Sequence, residues 1–127
     1  MDDRQRFEEA IQHMWTAYTL ITSVLEQLPL PVRLPESTSD WDVEAGLLAV
    51  DRARDLVNDM PLSELVAGSI RHMLLDWLAA YELGALTTLA GIAPWRIDAI
   101  EFSILRIVAT TEIVSQALSG NNPFPNE

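Results

Sequence analysis

The 127-residue chain contains no cysteine and no lysine. Without thiols there can be no disulfide, no thiolate zinc site and no cysteine nucleophile. Without lysine there is neither a Schiff-base amine nor a phosphate-binding P-loop lysine. Positive charge is scarce: eight basic residues, all arginine, face 19 acids, for a net charge of −11 and a pI near 4.4. A field of that sign repels phosphate backbones and anionic bilayers, which excludes nucleic acid and membrane surfaces as expected partners and favours a basic protein partner. Histidine is limited to His13 and His72, too few for a three-histidine zinc site, and no Glu-x-x-His pair of a di-iron bundle occurs. No cofactor or metal is implied.

Long uncharged hydrophobic runs are also missing. The most apolar stretch, "SIRHMLLDWLAAYELGALTTLAGIAPW" (residues 69–95), carries Arg71, His72, Asp76 and Glu82. A spanning helix needs roughly 20 apolar residues, and a central acid costs several kcal/mol there. This stretch reads as a core helix rather than a membrane span. The opening "MDDRQRFEEAIQH" has no apolar segment of the signal-peptide kind, so the cytoplasm is the expected location.

What is present is helical periodicity. Phe7, Ile11, Met14, Tyr18, Ile21, Leu25 and Leu28 recur by three and four, predicting a helix over about 4–28. Pro29, Pro31 and Pro35 forbid its continuation, so "PLPVRLPESTSD" is an extended connector. Ser39 or Asp40 is the expected cap of a second helix over about 40–59, with Val43, Leu47, Val50, Val57 and Met60 inward. Pro61 breaks it, and Ser63 restarts a third helix over about 62–90. Gly91 caps that one, Pro94 opens a fourth over 94–119, and Gly120 closes it. The expected fold is an all-α four-helix bundle in a single domain, residues 1–120, with 121–127 as a flexible C-terminal tail. The short joins at 60–62 and 91–93 make helices two and three, and three and four, antiparallel neighbours.

Chemistry-bearing residues are few. His72 and Asp76 lie at i,i+4, close enough for the carboxylate to orient the imidazole, with Glu82 further along the same helix. They are the candidate catalytic set of one reading: a helical enzyme or small-ligand binder whose pocket is lined by Trp15, Trp77 and Tyr81. The bland reading is a satisfied polar pair at a helix interface. Arg6 and His13, with six residues between them, are spaced as in the Arg–His ribonuclease motif of HEPN helical domains, which this short stretch resembles. That family carries a polar residue after its arginine and places the motif later in the domain; Phe7 follows Arg6 here, and surface polar residues are the reading taken. The acidic row Glu44, Asp51, Asp55 and Asp59 resembles the all-α nucleotide pyrophosphatases in class only, because their paired Glu-x-x-Glu and Glu-x-x-Asp motifs are absent. A solvated helix face is the reading here. No Gly-x-Ser-x-Gly occurs.

The last two helices carry a surplus. Beside the stripe Val66, Ile70, Met73, Leu74, Trp77, Leu78 and Tyr81, the third helix has Leu75, Leu83 and Leu86 among its charges. The fourth adds Trp95, Phe102, Leu105, Ala109 and Ile113 opposite the stripe of Ile97, Ile100, Ile104, Ile107, Val114 and Leu118. A bundle needs one apolar stripe per helix, so the second stripes call for a further partner, and a second copy is the simplest one. The expected function is protein–protein interaction of a regulatory, adaptor, inhibitor or immunity type, by a homodimer joined through helices three and four.

Overall fold

The computed structural model describes residues 2–29 and 31–120; the segment read above as a tail, 121–127, lies outside them. Four helices follow one another: α1 (Asp3–Glu26), α2 (Val43–Val57), α3 (Glu64–Ala90) and α4 (Pro94–Leu118). No strand occurs among the described residues.

The helix ends have local causes. Asp2 caps α1 by accepting from the Gln5 amide at 2.8 Å, while Gln5 reaches back to the Asp2 amide, a reciprocal box that satisfies two otherwise orphaned donors. Ser63 accepts from the Val66 amide to open α3, and Gly91, with φ at 104°, closes it in a conformation that side chains disfavour. Pro94 occupies the first turn of α4, where its missing N–H has no partner to lose.

α2 departs from expectation. Its cap is Asp42, which accepts from the Ala45 amide at 2.9 Å, rather than Ser39 or Asp40. Residues 38–41 are spent on a turn, with the Trp41 amide donating to the Thr38 carbonyl at 3.0 Å, so the helix starts only after Trp41 has been turned inward. The buried line is Gly46, Val50, Ala53 and Val57, and Val43, expected inward, is half exposed. Small residues set this line because α2 approaches its neighbours closely. The Trp41 ring lies against Gly46, where a β-carbon would fall inside the ring's van der Waals envelope. Gly46→Ala is therefore expected to destabilise by about 1–3 kcal/mol, the usual cost of overpacking. This opposes the roughly 1 kcal/mol gain that alanine brings to an unhindered helix. Urea denaturation measures the sign, and a net gain would show that Trp41 yields without cost.

α3 is the element every other helix touches: α4 packs along it most extensively, α1 lies on both α3 and α4, and α2 meets α3 alone. Ile21 and Leu25 from α1, Ile70, Met73, Leu74 and Trp77 from α3, and Ile97, Ile100 and Ile107 from α4 are essentially removed from water. α1 and α2 do not meet directly. The connector fills that edge, burying Leu28 and Leu34, with Val32 and Trp41 packed partly against the core.

Two hydrogen bonds fasten the connector. The Tyr18 hydroxyl donates to the Pro35 carbonyl, and the Trp41 indole N–H donates to the Tyr18 oxygen at 3.3 Å. Burial pushes the Tyr18 hydroxyl above the usual tyrosine range, and the hydrogen bond from Trp41 pulls it part of the way back. Between the unfolded and folded values the native chain holds a proton that the unfolded chain has released. Stability from this group is thus complete below the ordinary tyrosine value and falls as pH rises through the raised one. Alkaline unfolding is expected to be less steep in Tyr18→Phe than in the parent chain, as followed by circular dichroism. Equal slopes would mean that Tyr18 titrates as if exposed.

Candidate functional site

The residues singled out from sequence fall into two places on opposite flanks of α3. The first is aromatic. Trp15, Trp77 and Tyr81 come together as expected for a pocket lining, but with Tyr18 and Trp41 they pack on one another. Trp15 stands edge-on to Trp41 at 5.1 Å and to Trp77 at 5.7 Å between ring centroids, and Trp77 lies 5.0 Å from Tyr18. Edge-to-face contacts of this kind are favoured by the ring quadrupoles. The Trp77 N–H donates to the Met14 carbonyl at 3.0 Å, across 63 residues of chain, so the ring is held at both its apolar and its polar end. Beside this cluster a shallow groove of about 580 Å³ runs between α1 and α3, with Trp15 and Tyr81 at one end and Glu8 as its one acid.

His72 and Asp76 are not in that groove. They line a separate hollow between α3 and α4. Asp76 does not orient His72 there. Its carboxylate receives two hydrogen bonds from the Arg106 guanidinium, at 2.6 and 3.2 Å. Arg106 lies over the Phe102 ring at 4.8 Å, and the Asp76 side chain keeps only 19% of its surface exposed. A forked, two-point pair of this kind fixes both side chains, and stacking on Phe102 holds the guanidinium flat against the helix. His72 and Glu82 are exposed. Arg71, the nearer counter-charge in the sequence, bonds the Asn58 side chain at the end of α2 instead. The arrangement is therefore an interhelical clamp between α3 and α4 rather than an acid–base dyad. Sequence spacing displays i,i+4 neighbours on one helix but not an arginine 30 positions away.

The clamp sits within an apolar face. Leu75 and Leu86 on α3, and Phe102, Leu105 and Ile113 on α4, are exposed, as is Ala109, while Leu83 is half buried between the helices. Trp95, at the start of α4, joins them. Phe102 is 60% exposed, Leu105 67% and Trp95 68%. At the roughly 150–250 Å² that a large side chain carries, such exposures leave an apolar face on the order of 700 Å² in water. Soluble monomers seldom expose a contiguous patch beyond about 300–600 Å².

The face is also electrically quiet. Asp76 and Arg106 cancel one another inside it. Asp98 and Glu101 of α4 are engaged toward α1 by Arg6, at 2.8 and 3.4 Å. The acids of α2, Glu44, Asp51, Asp55 and Asp59, are exposed. Among the other helices α2 packs only on α3 and does not touch α4. No helix among the described residues is long and apolar enough to cross a membrane. No family model, curated protein or solved structure matches this chain.

Proposed function

We propose that this chain works as a protein–protein interaction module and that its partner is a second copy, docked through the exposed face of α3 and α4. The observation that carries the reading is the 60–68% exposure of Phe102, Leu105 and Trp95 on a face whose central charges, Asp76 and Arg106, neutralise each other. A basic partner drawn to a chain of −11 would find few acids within this face, Asp76 being held by Arg106 and Glu64 standing in the hollow at one end. A second copy offers an apolar face of the same kind. The area also approaches the roughly 800 Å² per partner that a specific interface buries, and its composition resembles a core cut in half.

Light scattering at micromolar concentration tests the proposal. The expected particle has twice the chain mass of 14.2 kDa. Added salt should tighten the association modestly, because it screens the repulsion between two acidic bodies while leaving apolar burial intact. A particle of one chain mass at every concentration would overturn the second copy as partner.

A further inference from the structure

The apolar face is not flat. Where the first half of α3 runs beside the second half of α4, Gly68, Ser69, Ala109 and Thr110 carry short side chains and leave a hollow of about 620 Å³. At the other end, where α3 finishes and α4 begins, Leu86 and Trp95 stand in solvent. Trp95, Phe102 and Ala109 follow one another at intervals of seven residues on the same side of α4, so hollow and raised end share one line. At 1.5 Å per residue, Trp95 and Ala109 are roughly 21 Å apart, with Phe102 midway. A surface with a knob at one end, a hollow at the other and an exposed aromatic between them is complementary to itself under a two-fold rotation about the middle point.

We infer that Trp95 of each copy seats in the hollow between α3 and α4 of the other, with the two-fold axis passing beside Phe102. This arrangement rests on the self-docking proposed above. It makes each hollow a site completed only by the partner's Trp95.

The polar groups at the two ends fit it. A buried indole N–H needs an acceptor, and the hollow offers the Ser69 and Thr110 hydroxyl oxygens together with the Glu64 carboxylate. Arg96 travels with Trp95, its guanidinium 5.3 Å from that ring. It makes no ion pair among the described residues, and neither does Glu64. The raised end thus brings a cation without a counter-charge to a hollow holding an anion without one. Glu82, exposed on α3 next to this face, remains at the rim in water.

The absence of native cysteine makes the arrangement directly testable, because introduced thiols are the only ones present. Trp95→Cys and Ala109→Cys chains are prepared separately and mixed, then treated with a short-armed bis-maleimide. The mixed dimer keeps one Trp95 and one unmodified hollow, so it still assembles. The expected product is a covalent dimer from the mixture and none from either variant alone, since like positions lie far from the axis. Self-linking of Trp95→Cys alone would put knob against knob and overturn the inference, as would failure of the mixture to link while the parent chain scatters as a dimer. In a second measurement Trp95→Ala should weaken dimerisation by at least about tenfold, as a central anchor does. An unchanged dissociation constant would remove Trp95 from the interface. A parent chain that is monomeric throughout would instead overturn the self-docking itself, so the two failures are told apart.

Discussion

Under the proposed self-docking, Phe102→Glu is expected to yield a folded monomer, weakening association by about two orders of magnitude, the effect of losing an anchor of roughly 2–4 kcal/mol at the centre of an interface. The reasoning has two halves. For folding, the position is 60% exposed, Phe102 is absent from the buried core, and the Arg106 guanidinium lies over its ring. A glutamate four residues before Arg106 forms a favourable helical pair in the preferred orientation, so α4 should lose little or nothing. For association, the substitution sets two carboxylates near each other at the axis, removes apolar area and adds the cost of desolvating both charges. Sedimentation velocity across a concentration series reads the association, and the melting temperature of the monomer reads the folding. A variant that remains dimeric would place the interface elsewhere. A variant that unfolds would mean that Phe102 does structural work which its exposure does not reveal.

Trp77→Ala should have the opposite character, with large loss of folding stability. The indole is fully buried, its N–H is committed to the Met14 carbonyl, and four aromatic rings lean on it. Truncating a buried tryptophan costs about 3–5 kcal/mol, from lost transfer energy and the cavity left behind. Against a typical domain stability of roughly 5–15 kcal/mol, that is enough to populate unfolded chain near physiological temperature. Guanidinium denaturation at fixed protein concentration gives the difference, and a loss below about 1 kcal/mol would contradict the central place of the cluster. Trp95→Ala provides the contrast. An exposed side chain changes stability by about 0.5 kcal/mol or less, so the same substitution should act on folding at 77 and on association at 95.

Much of this was legible in the sequence, for reasons that can be traced to particular residues. Pro61, Ser63, Gly91 and Pro94 mark helix ends because each removes a donor, supplies a cap or relaxes φ, and these effects act within one turn. The stripes of α1, α3 and α4 are carried by large side chains whose period survives any tertiary context. The second stripes of α3 and α4 could be seen for the same reason, and the structure leaves most of them facing solvent. α2 was harder. Its inward line runs through Gly46 and Ala53, which carry almost no hydrophobic weight, so its rotation was read from Val43 instead. The partner of Asp76 was equally hidden: His72 is visible at four residues, whereas Arg106 becomes a neighbour only when α3 and α4 fold back on each other. The expected pocket divided in two because His72 and Tyr81, nine positions apart on α3, project to opposite flanks of the helix.

The order of the helices has a kinetic consequence. α3 and α4 are joined by residues 91–93, whereas α1 ends at Glu26 and packs on a helix that begins at Pro94. Loop closure favours near neighbours, so the α3–α4 hairpin can assemble early, while docking α1 onto α4 must close the intervening chain at a greater entropic cost. An early hairpin would present two apolar flanks at once, one destined for α1 and one left exposed in the folded chain. Only the second is permanently open. During synthesis the crowded danger lies in the first, because a neighbouring chain could occupy the seat of α1 before α1 arrives. The eleven acids of residues 1–55 that precede α3 by more than a turn, among them Glu8, Glu9, Glu44 and Asp51, emerge before the hairpin does. They therefore surround it with like charge at the moment when its flanks are bare, and repulsion between nascent chains delays wrong pairing until α1 has docked.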